Sequence, residues 1–200
     1  MRRTVAILLF DEVEVLDFAG PFEVFAVTDE LSDHQCFRVV TVAPEKSAIR
    51  ARNGLSVNPD HSFADCPPPD ILIVPGGFGT RALLKNQAVL DWIKSVNTTA
   101  GIVASVCTGS LVLGRAGLLD GLKATTHHEC FDLLREHAPR ATVVETDRFL
   151  DNGRILTSAG ISAGIDLSLH LVARLHGEAI AQKTAHYMEY HWRNDGGLMR

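Results

Sequence analysis

The residue best suited to covalent chemistry is Cys107, in the run Ala104-Ser105-Val106-Cys107-Thr108-Gly109-Ser110-Leu111. An apolar segment meets a small-residue corner there, and a helix-like segment follows. This is the layout of a nucleophile elbow, where a sharp strand-to-helix turn lifts the reactive side chain over a sheet edge. Ser105 and Gly109 are small, as a crowded turn requires. A helix N-terminus beside the sulfur is expected to lower the thiol pKa and favour thiolate. The competing reading is a buried structural cysteine, which is the better one for Cys36, Cys66 and Cys130.

Two further segments could meet Cys107. Ile71-Leu72-Ile73-Val74-Pro75-Gly76-Gly77-Phe78-Gly79-Thr80 is a strand feeding a glycine-rich turn, without the G-x-G-x-x-G order of a dinucleotide loop or a P-loop lysine. Its bare backbone can face a neighbouring strand end, so the N–H of Gly77 paired with that of Thr108 is expected to form an oxyanion-type hole. Val15-Leu16-Asp17-Phe18-Ala19-Gly20-Pro21 follows the first strand and opens a helix. Asp17 is either a helix cap or a carboxylic acid over the same crevice. His127 follows the strand-like run Lys123–Thr126 and could reach the crevice as a base or binding group. In His127-His128-Glu129-Cys130 adjacent side chains cannot all converge on one ion, and no zinc spacing is present, so no metal site is expected.

The elements that must position these residues can be read from hydrophobic pattern. Thr4–Phe10, Phe37–Ala43, Ile71–Val74 and Gly101–Val106 are nearly continuous in apolar and β-branched residues, which suits strands covered on both faces in a parallel sheet. Helical spacing predicts helices over Pro21–Leu31, Ala88–Val96, Ser110–Arg115, Glu129–His137, Ala163–Leu175 and Glu178–Tyr190. Asp151-Asn152-Gly153-Arg154 predicts a hairpin with a type I′ turn. Alternating strands and helices imply an α/β sandwich with helices on both sides of a mostly parallel sheet. The stiff segment Cys66-Pro67-Pro68-Pro69-Asp70 is too short for an interdomain linker. One domain over residues 1–200 is expected.

The 200 residues are 46% hydrophobic and 22% charged, with a net charge of −5, which excludes a disordered or fibrous chain. Neither a basic excess nor a basic stripe is present, so nucleic acid is not an expected partner. Four dispersed cysteines without C-x-x-C are neither a disulfide scaffold nor a zinc ribbon and suggest reduced, cytoplasmic thiols. Asp11-Glu12 interrupt the first apolar run, and no stretch approaches ~18 apolar residues, so neither a cleaved leader nor a membrane partner is expected.

Taken together, these motifs resemble the ThiJ/PfpI superfamily, whose fold is the flavodoxin-like, class I glutamine amidotransferase-like three-layer sandwich. The resemblance is closer to its isonitrile hydratase branch. It rests on Leu16–Pro21, Ser62-Phe63-Ala64-Asp65-Cys66-Pro67-Pro68, Pro75-Gly76-Gly77, Ser105–Gly114, Ala124-Thr125-Thr126-His127 and Gly160-Ile161-Ser162-Ala163-Gly164-Ile165-Asp166, in family order. The same segments resemble the ligand-binding half of AraC-type regulators.

The resemblance implies that Cys107 is the nucleophile, Asp17 the acid/base beside it and Thr108 a polar contact in the pocket, the three forming the catalytic set; Gly76, Gly77 and His127 are expected to bind the substrate or its oxyanion. Protease-like members carry histidine directly after the cysteine. Here that residue is Thr108, which argues against peptidase activity. His128 stands where the branch often has tryptophan. The implied reaction is hydration of an isonitrile to an N-substituted formamide through a thioimidate on Cys107, with no metal or organic cofactor, acting on a small molecule, in a homodimer. The alternatives are a non-catalytic ligand or redox sensor of the regulator type, and a repair or chaperone-like protein built on an oxidisable cysteine. No helix-turn-helix region is expected after Met188, and that expectation favours the enzyme.

Overall fold

The computed structural model describes residues 2–192. Its elements follow in the order β1 (Arg3–Leu8), α1 (Val15–Glu30), β2 (Phe37–Ala43), β3 (Ile49–Arg50), β4 (Ser56–Val57), β5 (His61–Ser62), β6 (Ile71–Val74), α2 (Thr80–Leu83) and α3 (Gln87–Thr99). Then come β7 (Ile102–Ser105), α4 (Gly109–Arg115), β8 (Lys123–Ala124), α5 (Phe131–His137), β9 (Thr142–Val143), β10 (Phe149–Asp151), β11 (Ile155–Ser158), α6 (Ala163–His176) and α7 (Glu178–Tyr187).

Seven strands form the central sheet in the order β10-β11-β7-β6-β1-β2-β5, parallel throughout except for β10 against β11. All residues of β6, β7 and β11 are buried, as their unbroken apolar runs require. Each large aliphatic side chain so buried contributes roughly 1.5–3 kcal/mol. From β1 the chain steps through α1 to β2, and from β6 through α3 to β7 in the opposite direction. Right-handed crossovers therefore put α1 and α3 on opposite faces. Helices α6 and α7 pack with α1, and α4 packs with α5, completing a three-layer flavodoxin-like sandwich. Because the winding direction reverses between β1 and β6, a crevice opens beyond the carboxyl ends of the strands there.

Differences from the sequence expectations are local. Helix α1 begins at Val15, not Pro21, and carries Pro21 inside it. One missing N–H in the second turn is tolerated because the helix lies against β1, β2, α6 and α7. The segment expected as a helix from Glu129 is a 3₁₀ turn, His128–Cys130, followed by α5. Helix α7 ends at Tyr187, three residues early. In the hairpin Asn152 N–H donates to Ile155 O at 3.1 Å, which makes Gly153 and Arg154 the two central residues. Only Gly153 has positive φ, 85°. That is the sign pattern of a type II′ turn rather than I′. Among the described residues no helix is long and apolar enough to cross a membrane. The segment on which the expectation about a regulator's DNA-binding region partly rests, 193–200, lies outside them.

Candidate active site

Three strand ends build the site. The chain leaves β7 at Ser105 and turns at Cys107, whose φ of 55° is left-handed for a residue with a Cβ. Such a conformation persists only when the surroundings over-determine it. Here Cys107 N–H donates to Ser158 O and Ala159 O, while Cys107 O accepts from Thr126 Oγ1 at 3.0 Å and Ser110 Oγ at 3.1 Å. The elbow expected from the sequence is present, and these four bonds hold it.

Asp17 enters from α1. It is fully buried, and Glu14 rather than Asp17 occupies the cap position. The Asp17 carboxylate accepts the Gly76 N–H at 2.9 Å through Oδ2. Its Oδ1 is buried without a partner at hydrogen-bonding geometry among the described residues, although the Cys107 thiol stands close enough to favour the charged carboxylate. Burial is the larger effect, and it pushes the Asp17 carboxyl from 3.8 up to about 7 against the Gly76 hydrogen bond. Gly76 is required by this approach. A Cβ there would lie 2.5 Å from Thr108 N, 2.7 Å from Thr108 Oγ1 and 2.8 Å from Asp17 Oδ2.

The thiol does not have the low pKa expected of a helix N-terminus. Burial first, and the Asp17 charge second, push Cys107 up to about 12, although the N–H groups of Thr108 and Ile161 favour the thiolate. Cys107 is only 6% exposed and α4 is two turns long, so lost hydration outweighs the dipole. Resting Cys107 is therefore a thiol next to a carboxyl that titrates near neutrality. Ile161, which presents its N–H to the sulfur, has φ 53°, a strained value for a β-branched residue.

The expected oxyanion hole has a different form. Gly77 N–H donates to Thr108 Oγ1 at 3.0 Å, so it is not open to a ligand. Thr108 Oγ1 also lies 3.2 Å from Gly77 O and 3.4 Å from Thr80 Oγ1, which makes this hydroxyl a clamp on the glycine turn. The N–H groups left facing the sulfur are those of Thr108 and Ile161.

Above the thiol lies a cavity of about 130 Å³. Cys107, Thr108, Gly77 and His127 line it; Gly76 and Asp17 are not among its lining residues, and Asp17 reaches it at the Cys107 sulfur. The His127 ring packs on Gly160, accepts the Glu129 N–H through Nδ1 at 3.3 Å, and is held neutral chiefly by burial. The wall also contains Glu14, Arg52, Phe78, Arg81, Glu129 and Cys130, which sequence reasoning did not assign to the site. For Phe78 and Arg81 the glycine turn beside them was the available signal. Arg52 arrives from a distant loop and gave none. His128 is adjacent to the site but does not line the cavity; its ring centre is 4.3 Å from that of His127. Among the described residues no cluster of histidine, cysteine or carboxylate side chains has metal-binding geometry.

Comparison with known proteins places these features in a family. The chain is 38% identical over 190 residues to an isonitrile hydratase of Pseudomonas putida, covering 95% of this chain and 79% of the relative. It is 29% identical over 188 residues to the transcriptional regulator GbdR of Pseudomonas aeruginosa, covering 94% of this chain but 51% of the regulator. The chain thus spans about half the length of that relative. A ThiJ/PfpI family protein from Pseudomonas syringae superimposes with a TM-score of 0.87 at 31% identity, covering 96% of this chain and 77% of that one. Drosophila melanogaster DJ-1beta superimposes with a TM-score of 0.83 at 20% identity over 96% of this chain, a likeness of fold. The model of the DJ-1/PfpI family matches residues 3–174, so the chain belongs to the DJ-1/PfpI family.

Proposed function

We propose that the protein is a cysteine-dependent hydratase that converts an isonitrile to an N-substituted formamide. The observation that carries this reading is the Cys107–Asp17 pair. A buried thiol on a left-handed elbow stands beside a buried carboxyl that changes protonation near neutral pH. Kinship with an isonitrile hydratase over 95% of the chain supports the choice of substrate class.

In this mechanism Asp17, ionised, takes the Cys107 proton as sulfur bonds to the terminal isonitrile carbon. It then passes that proton to the same carbon, and the product of this half is a neutral thioimidate. The N–H groups of Thr108 and Ile161 stabilise charge on sulfur while the proton is away. Water then adds to the thioimidate carbon, with Asp17 carrying a water proton to nitrogen. Collapse of the tetrahedral adduct breaks the C–S bond, returns a proton to sulfur and releases the formamide. The sum is one isonitrile plus one water, without a cofactor. Thr108 holds the Gly77 turn in place, and His127 forms a neutral wall beside the reacting carbon. The working form is a cytoplasmic homodimer acting on a small molecule.

Incubation with an alkyl isonitrile, followed by loss of its infrared band and appearance of the formamide, tests this directly. A trapped adduct on Cys107 heavier by the full mass of the isonitrile is expected, because the first step is an addition. Ligand binding without consumption would instead support the sensing role that the match to GbdR suggests.

A further inference from the structure

We infer that the cavity selects ligands that carry a carboxylate, and that Arg81 is the residue that reads it. This rests on the hydratase reading for the identity of the reacting group, but the recognition element is separate from the Cys107–Asp17 pair. Two guanidinium groups enter the cavity wall and flank the 61% exposed ring of Phe78, Arg52 at 5.6 Å and Arg81 at 5.0 Å from its centre.

Their charges are balanced differently. Arg52 Nη1 is paired with Glu14 Oε2 at 3.0 Å, and the other carboxylate of the wall, Glu129, is exposed to solvent, 4.0 Å from the neutral His127 ring. Arg81 has neutral neighbours: Nη1 donates to Gly77 O at 3.2 Å and Thr80 Oγ1 at 3.3 Å, and Nη2 to Cys130 Sγ at 3.8 Å. Among the described residues no carboxylate lies within ion-pair distance of it. Arg81 is half-buried, so its charge is only partly screened by water. It is anchored by the same turn that Thr108 clamps, and Phe78 holds one face of its plane. A positioned, uncompensated guanidinium beside a nucleophile suits charge-assisted binding of a carboxylate. Arg81 and Cys107 line the same small cavity, so a short spacer joins the two groups, and the substrate class is a short isonitrile with a carboxylate on its other end, of the isocyanoacetate type.

The test has two arms. In the first, kcat/KM for isocyanoacetate is divided by that for its uncharged methyl ester, in wild type and in Arg81→Gln. Loss of a charged hydrogen bond should lower this ratio about 10–100-fold, with Arg81→Lys intermediate. In the second, Cys107 is labelled with iodoacetate and with iodoacetamide, and the ratio of the two rates is compared between the same proteins. A change in thiol pKa cancels in that ratio, so it reads anion attraction alone. It should fall at least about tenfold in Arg81→Gln and recover in part in Arg81→Lys. Should neither isonitrile be consumed while the labelling ratio falls as expected, the hydratase reading fails and the carboxylate subsite stands. A labelling ratio within twofold of wild type in Arg81→Gln overturns the inference, whatever the turnover.

Discussion

Replacing Asp17 by asparagine separates a buried proton carrier from a structural residue. The side chain keeps its shape, and the amide oxygen of the asparagine can still accept the Gly76 N–H that Asp17 Oδ2 accepts at 2.9 Å. What is removed is a carboxyl whose pKa burial raises from 3.8 to about 7. Between those values the folded protein holds a proton that the unfolded chain has released. Wild-type stability therefore falls as pH rises through that window, and asparagine cannot show the fall. Roughly three pKa units at about 1.4 kcal/mol each give a change of about 4 kcal/mol as an upper figure. The difference in unfolding free energy, variant minus wild type, should grow by a few kcal/mol from pH 4 to pH 8, whatever its offset. Urea unfolding of both proteins at a series of pH values measures it. Turnover should drop about 10²–10⁴-fold, and the wild-type rise in rate as pH passes about 7 should vanish. A stability difference that stays flat between pH 4 and pH 8 would refute the burial argument, and turnover within a few-fold of wild type would refute the proton transfer.

Cys107→Ala should abolish turnover with little loss of stability, because alanine keeps the same Cβ at the left-handed elbow and adds no new backbone strain; retained turnover would remove the nucleophile. Gly76→Ala should destabilise by about 1–3 kcal/mol or more and slow turnover, since the new Cβ would lie 2.5 Å from Thr108 N; a melting curve and a rate assay decide it. Gly160→Ala should weaken substrate binding more than it slows the bound reaction, because a Cβ there would meet the His127 ring at 2.3 Å and push it into the cavity; KM against kcat is the readout. We propose that the chain folds as one unit, so tryptophan fluorescence and far-ultraviolet circular dichroism should report coincident unfolding transitions.

The sequence by itself determined the sheet and the corner of the site. Unbroken apolar runs at Ile71–Val74 and within Gly101–Val106 leave no polar face to expose, so both had to become covered parallel strands. Ser105 and Gly109 around Cys107 announced a crowded turn, and the structure places left-handed backbone there. These are local signals, carried by neighbours in the chain. The role of Asp17 was not local. Gly20-Pro21 hid the true start of α1, and only packing against the other helices keeps a proline inside it. Whether a carboxylate three positions into a helix caps that helix or meets a glycine 59 residues away is decided by which strand ends the crossover brings together. The thiol pKa went the other way from the sequence expectation for the same reason. A dipole can be read from a strand-turn-helix pattern, but desolvation depends on everything that packs around the sulfur. Arg52, Phe78 and Arg81 meet only because the loop after β3 folds over the turn after β6, and their opposed charge balance exists only in three dimensions.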